Sequence, residues 1–158
     1  MSLRTTVALT ACVPVMVVTT ATAGPATAAP SLPNPCHLLT AAEITGALHP
    51  SNTHPVLSHT TYAAGTATED KLCTWKFGSL QVVVSVYNKS GGSGGPPTKT
   101  TAEPSLGPDG TLTQSSTPQY KFTIVSYKRH SHYVDIHVNR NVKPKPMVKL
   151  GKDAYRRT

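Results

Sequence analysis

Acidic side chains are scarce in this chain: 7 Asp and Glu stand against 15 Lys and Arg, a formal charge of +8. The acids are spread from Glu43 onward, and no pair has a spacing that suggests paired acid–base work. Aromatic residues make up 6% of the chain, so the core it can bury is modest. Cysteine occurs three times, at positions 12, 36 and 73. No nucleic-acid fold motif accompanies the positive charge. Beyond the first two dozen residues no apolar run is long enough to span a membrane.

Charge is also missing from the N-terminus, where Arg4 is the one charged residue before Glu43. Residues 5–23 are small or apolar, and Ala21-Thr22-Ala23 ends the run with small residues at −3 and −1. That order of basic start, apolar run and A-x-A site reads as a secretory signal peptide over residues 1–23. Two readings compete with it. A transmembrane anchor is weakened by Pro14 and by the threonines in the run. Lipidation of Cys12 is suggested by Leu9-Thr10-Ala11-Cys12, although the residues after Cys12 stay apolar. A mature chain starting at Gly24, or at an acylated Cys12, separates them.

Removal of residues 1–23 leaves one domain's worth of chain with a charge of +7 and two cysteines. In an exported protein those two pair most simply as Cys36–Cys73. Residues 24–35 form a Pro/Ala tether. Thr40-Ala41-Ala42-Glu43 is a capping box in which each residue can satisfy the other's amide. Leu39 and Ile44 flank it as a hydrophobic staple, and Pro50 stops the helix near His49.

The β signals come in two blocks. Residues 72–77 and 80–87 alternate around Gly78-Ser79, a hairpin with a type II′ turn. Its register pairs Phe77 with Leu80, Trp75 with Val82 and Cys73 with Val84, so that Cys73 lies on the apolar face beneath the capped helix. The second block sets Tyr120, Phe122 and Ile124 against His132, Val134, Ile136 and Val138, with a basic tip at 128–131. Residues 51–71 read as irregular. Residues 88–119 read as a mobile Gly/Pro/Thr loop. Residues 141–158 read as a basic, proline-interrupted and only partly ordered tail. The expected fold is therefore α+β: a small antiparallel sheet of two hairpins, covered by a short N-terminal helix, disulfide-stapled, within a single domain at 36–140.

The residues Pro35-Cys36-His37-Leu38-Leu39-Thr40, Glu43-Ile44, Ala47-Leu48 and Cys73-Thr74-Trp75 resemble a group of actinobacterial exported proteins and lipoproteins of uncharacterised function. Leu150-Gly151-Lys152-Asp153-Ala154-Tyr155 is similar to a further segment of that group. The resemblance implies an antiparallel sheet with helices on one side. It implies no catalytic residue, because the group shares none.

Chemical motifs carry little. Gly91-Gly92-Ser93-Gly94-Gly95 has the letters of a hydrolase elbow, but a Gly/Pro run follows where a helix is required. His130 and His132 share the parity that could bring two imidazoles to one metal, yet His137 has the opposite parity and no cysteine or Glu nearby completes a set. No catalytic residue, metal or cofactor is expected. The remaining feature is the basic C-terminal half, with ten Lys/Arg over residues 121–157 against Asp135 and Asp153. Lys128, Arg129, Arg140, Lys143, Lys145, Lys149, Lys152, Arg156 and Arg157 are the candidate anion-binding residues. The expected function is that of an exported, non-enzymatic envelope or secreted domain that binds an unknown partner. An anionic envelope component is the favoured alternative and a specific nucleic acid is not expected. A small secreted hydrolase or inhibitor is a further alternative.

Overall fold

The alternating segments form one continuous antiparallel sheet in the computed structural model, which describes residues 31–64, 68–88, 98–117 and 119–158. Cys12, the A-x-A site, most of the tether and the 91–95 motif lie outside the described residues. The strands are β1 (Val56–Ala64), β2 (Thr68–Phe77), β3 (Leu80–Tyr87), β4 (Thr98–Ala102), β5 (Thr111–Ser116), β6 (Lys121–Arg129) and β7 (His132–Val138). Their order across the sheet is β1-β2-β3-β7-β6-β5-β4. A 3-10 turn at Pro35–His37 and two helices, α1 (Ala41–Leu48) and α2 (Pro144–Tyr155), complete the fold.

The α+β class, the antiparallel sheet and the disulfide agree with the sequence reading, but the sheet is larger than two hairpins. Residues 51–71 contain β1 and the start of β2, and residues 88–119 contain β4 and β5. These strands are rich in Thr and Ser on both faces, which hides the apolar alternation that marks a half-buried strand. The tail is also different. Residues 144–155 are helical, and it is α2 and the 3-10 turn that lie on the strands, while the expected lid α1 is seated chiefly against α2.

Local chemistry explains the elements that were legible. The Thr40 amide donates to Glu43 Oε2 at 2.8 Å and the Glu43 amide donates to Thr40 Oγ1 at 3.2 Å. Leu39 and Ile44 are both buried, and α1 ends at His49 in a left-handed conformation. The β2–β3 register is the expected one, with Cys73 opposite Val84 and Trp75 opposite Val82. Gly78 takes φ +64°, which a type II′ turn demands at its first central position and glycine supplies without strain.

Cys36 and Cys73 are bonded, with Cα atoms 5.1 Å apart. The bond fastens the 3-10 turn to β2 on the buried face, where Trp75, Val82, Val84, Val86, Val125, Tyr127, Val134 and Ile136 form the core. The face of β6 is a correction to the sequence reading. Val125 and Tyr127 point to the core opposite Ile136 and Val134, while Phe122 and Ile124 lie half-buried on the other face. The helices cover one face only: the 3-10 turn packs on β2 and β3, α2 packs on β6 and β5, and α1 packs against α2.

Candidate functional site

Seven of the 15 Lys and Arg fall within residues 140–157, on α2 and at its two ends. Its sequence, P-K-P-M-V-K-L-G-K-D-A-Y, carries two prolines, but both fall in the first turn, where no intrahelical amide is lost. Met147, Leu150, Gly151 and Ala154 are buried. A Cβ on Gly151 would come within 2.7 Å of Val125 Cγ1 and 2.9 Å of Leu106 Cδ1, so glycine here lets the helix backbone lie directly on β6. The opposite side presents Lys145, Lys149 and Lys152, continued by Arg156 at the C-cap, and the spacing of four, three and four residues sets them along one stripe.

That stripe forms one wall of an open groove of about 780 Å³. Gly46, Ala47 and His49 at the end of α1 line it from the other side, and the acids Glu103 and Asp153 line it as well. Pro144, Pro146 and Val148 add apolar surface. The groove thus combines a cationic rim with an apolar lining. Lys149 Nζ donates to Asp153 Oδ2 at 2.8 Å, and Arg156 bonds the other oxygen of the same carboxylate. Asp153 is the one acid on α2 and is 93% buried by exposure of 7%, so it orients two cations without neutralising the stripe. Among the described residues the side chains of Lys145 and Lys152 have no hydrogen-bond or ion-pair partner.

The other candidate cations do different work. Arg157 donates to the Leu38 carbonyl at 2.9 Å and pairs in a fork with both oxygens of Glu43, at 2.8 and 2.5 Å. The guanidinium hydrogen bond holds the Glu43 carboxyl at about 2, well below its ordinary 4.5. Arg140 donates to the Leu48 carbonyl at 2.6 Å and so closes the C-terminus of α1. Lys128 lies over the Tyr133 ring and Arg129 over the Tyr155 ring, at 5.2 and 4.6 Å from the centroids. Lys143 precedes α2 and is exposed. Four of the nine expected residues therefore converge on the groove.

The histidines do not converge. His130 occupies the exposed β6–β7 turn, His132 is buried on the helix-covered face with Nδ1 3.2 Å from Asn88 Oδ1, and His137 lies on the opposite face. No group of three or more His, Cys, Asp or Glu is gathered among the described residues as a metal site needs.

A second polar cluster was missed by sequence reasoning. On the face away from the helices, Tyr87 donates to Asp135 Oδ2 at 2.8 Å and stacks on Tyr133 with centroids 5.6 Å apart. Asp70 lies beside Tyr87 across the β2–β3 pair. Burial, and next the Asp135 charge, push the Asp70 carboxyl up, and burial pulls the His137 imidazole down. Burial together with Asp135 holds the Tyr87 hydroxyl protonated, as a donor. Oδ1 of Asp70, Oδ1 of Asp135 and Nε2 of His137 are buried without partners. The alternation of Tyr133, Asp135 and His137 with valine and isoleucine was the available signal. It shows that these residues share a face, but not that β3 would lie beside them.

Comparison with known proteins adds no assignment: no protein family, curated protein or solved structure matches this chain.

Proposed function

We propose that this is an exported, non-enzymatic binding domain whose ligand is an anionic component of the cell envelope, held in the groove between α1 and α2. The observation that carries the reading is the stripe of Lys145, Lys149, Lys152 and Arg156 beside an apolar wall, with two of the four cations left without partners. An anion attached to an apolar body satisfies both halves of such a groove. A lipid headgroup at the surface of a bilayer has that composition, and each Lys or Arg brought to an anionic surface contributes about 1 kcal/mol. The signal peptide reading and the Cys36–Cys73 bond favour an oxidising compartment outside the cytoplasm. The resemblance to actinobacterial exported proteins points the same way.

The test is co-sedimentation with vesicles of phosphatidylglycerol and phosphatidylcholine against vesicles of phosphatidylcholine alone. Binding is expected with the anionic vesicles only, and it falls steeply as salt shortens the screening length. K145A/K152A removes the two unpartnered cations and leaves Asp153 with its partners. It should weaken vesicle binding by about 2 kcal/mol, or roughly thirtyfold, with the melting temperature unchanged. Binding that is indifferent to salt and to this pair of substitutions would exclude the groove.

A further inference from the structure

We propose that β1 is a self-association edge, through which two copies of the chain pair their β1 strands antiparallel and join their sheets. The inference rests on β1 alone and does not depend on what α2 binds.

An outermost strand turns a row of unpaired amide and carbonyl groups to solvent, and folded proteins guard it with charge, proline, a bulge or shortness. β1 has none of these guards. It is nine residues long, V-L-S-H-T-T-Y-A-A, with no Asp, Glu, Lys, Arg or Pro. Its pairing with β2 runs one-to-one from Val56↔Lys76 to Ala64↔Thr68 without a bulge. Residues 56–61 are all exposed, and Val56 and Leu57 remain 70% and 55% accessible. The opposite edge, β4, is five residues long and carries Lys99.

The sequence of β1 also suits a second copy as the occupant. Antiparallel overlap centred on Thr60 sets Val56 and Leu57 of each copy opposite Ala64 and Ala63 of the other. His59 then faces Thr61 and Ser58 faces Tyr62. In residue order, apolar ends thus stand opposite apolar ends and the polar centre opposite itself, the self-matching that a twofold pairing requires. The positive charge does not oppose the contact: on β2, next to the edge, Lys71 and Lys76 are matched in number by Glu69 and Asp70, and the cationic stripe is remote. α2 packs on β6 and β5, and β6 lies four strands from β1 in the sheet order. At a strand spacing of about 4.8 Å, the two β6 strands of a joined sheet stand about 43 Å apart. That is several times the screening length of about 8 Å at physiological salt.

The test is the mass of the full secreted, oxidised chain in solution, measured by sedimentation equilibrium over a wide range of concentration. Wild type is expected to approach twice the single-chain mass as concentration rises, and the amides of residues 56–64 are expected to gain protection from hydrogen exchange together with it. S58K/T60K places lysines on exposed positions of the edge and should hold the chain at the single-copy mass, with unchanged circular dichroism. T98K/T100K adds the same charge to the β4 edge and should leave the double mass intact. A wild-type chain that stays at single-copy mass overturns the proposal. So does a double mass that survives S58K/T60K, or one that T98K/T100K abolishes equally.

Discussion

The Arg157–Glu43 fork shows how much a single residue settles here. Glu43 serves twice, accepting the Thr40 amide that opens α1 and the guanidinium of Arg157. The first role was readable, because Thr40 and Glu43 are three residues apart and the capping box depends on local backbone geometry alone. The second was not, because Arg157 is 114 residues away and reaches Glu43 only after α2 has docked. Arg140 and Arg157 counted as candidate ligands for the same reason: a sequence displays a cation but not the carbonyl it will meet. The depressed Glu43 carboxyl yields a prediction. Its stabilising effect is fully present above its ordinary value of 4.5 and is lost as pH falls from 4.5 toward about 2. E43Q should therefore cost about 1 kcal/mol at neutral pH, since the pair is partly solvent-screened. In urea unfolding the gap between E43Q and wild type should close over that acid window. A gap of constant size across it would show that the charge on Glu43 contributes nothing.

Among the elements, α2 is the most instructive. Pro144 and Pro146 made residues 141–158 read as an interrupted tail, although the spacing of Met147, Leu150, Gly151 and Ala154 is helical. Proline breaks a helix interior but fits its first turn; the start of the helix decides which applies, and Lys143 gives no side-chain cap to mark it. β4 and β5 escaped for another reason. T-K-T-T-A and T-L-T-Q-S-S have the β-branched residues of strands without an apolar face, and they lie among Gly and Pro. The docking of α2 depends on Gly151. G151A should force the helix away from Val125 and Leu106 and destabilise the fold by about 1–3 kcal/mol despite alanine's higher helix propensity. Thermal unfolding measures this directly, and a stabilised G151A would mean that α2 sits further from β6. Since α2 carries the cationic stripe, G151A should also weaken vesicle binding.

At the scale of the molecule, one covalent bond and one shared sheet hold the fold together. The disulfide closes a separation of 37 residues, for which chain entropy gives about 4 kcal/mol. In a chain with few aromatics that is comparable with a small domain's net stability. C36S/C73S is expected to lose about 2–5 kcal/mol in urea unfolding, and a reducing agent should reproduce the loss in wild type alone. A loss below about 1 kcal/mol would place the stability in the sheet rather than the staple. The bond anchors the N-terminal segment to β2. The C-terminal half is fastened instead by the β3–β7 pairing, by α2 on β6 and β5, and by Arg140 and Arg157.

The sequence by itself determined the features whose cause lies within a few residues: the capping box of α1, the Gly78-Ser79 turn, the register of β2 with β3, and so the position of Cys73 above its partner. Only the tertiary structure decided the order of the strands and the second helix on the sheet. It alone separated the cations that tie α1 and α2 in place from those that face the groove. Those outcomes depend on which surfaces meet across long stretches of chain. Residue pattern records that a face is apolar or charged, and packing determines what covers it.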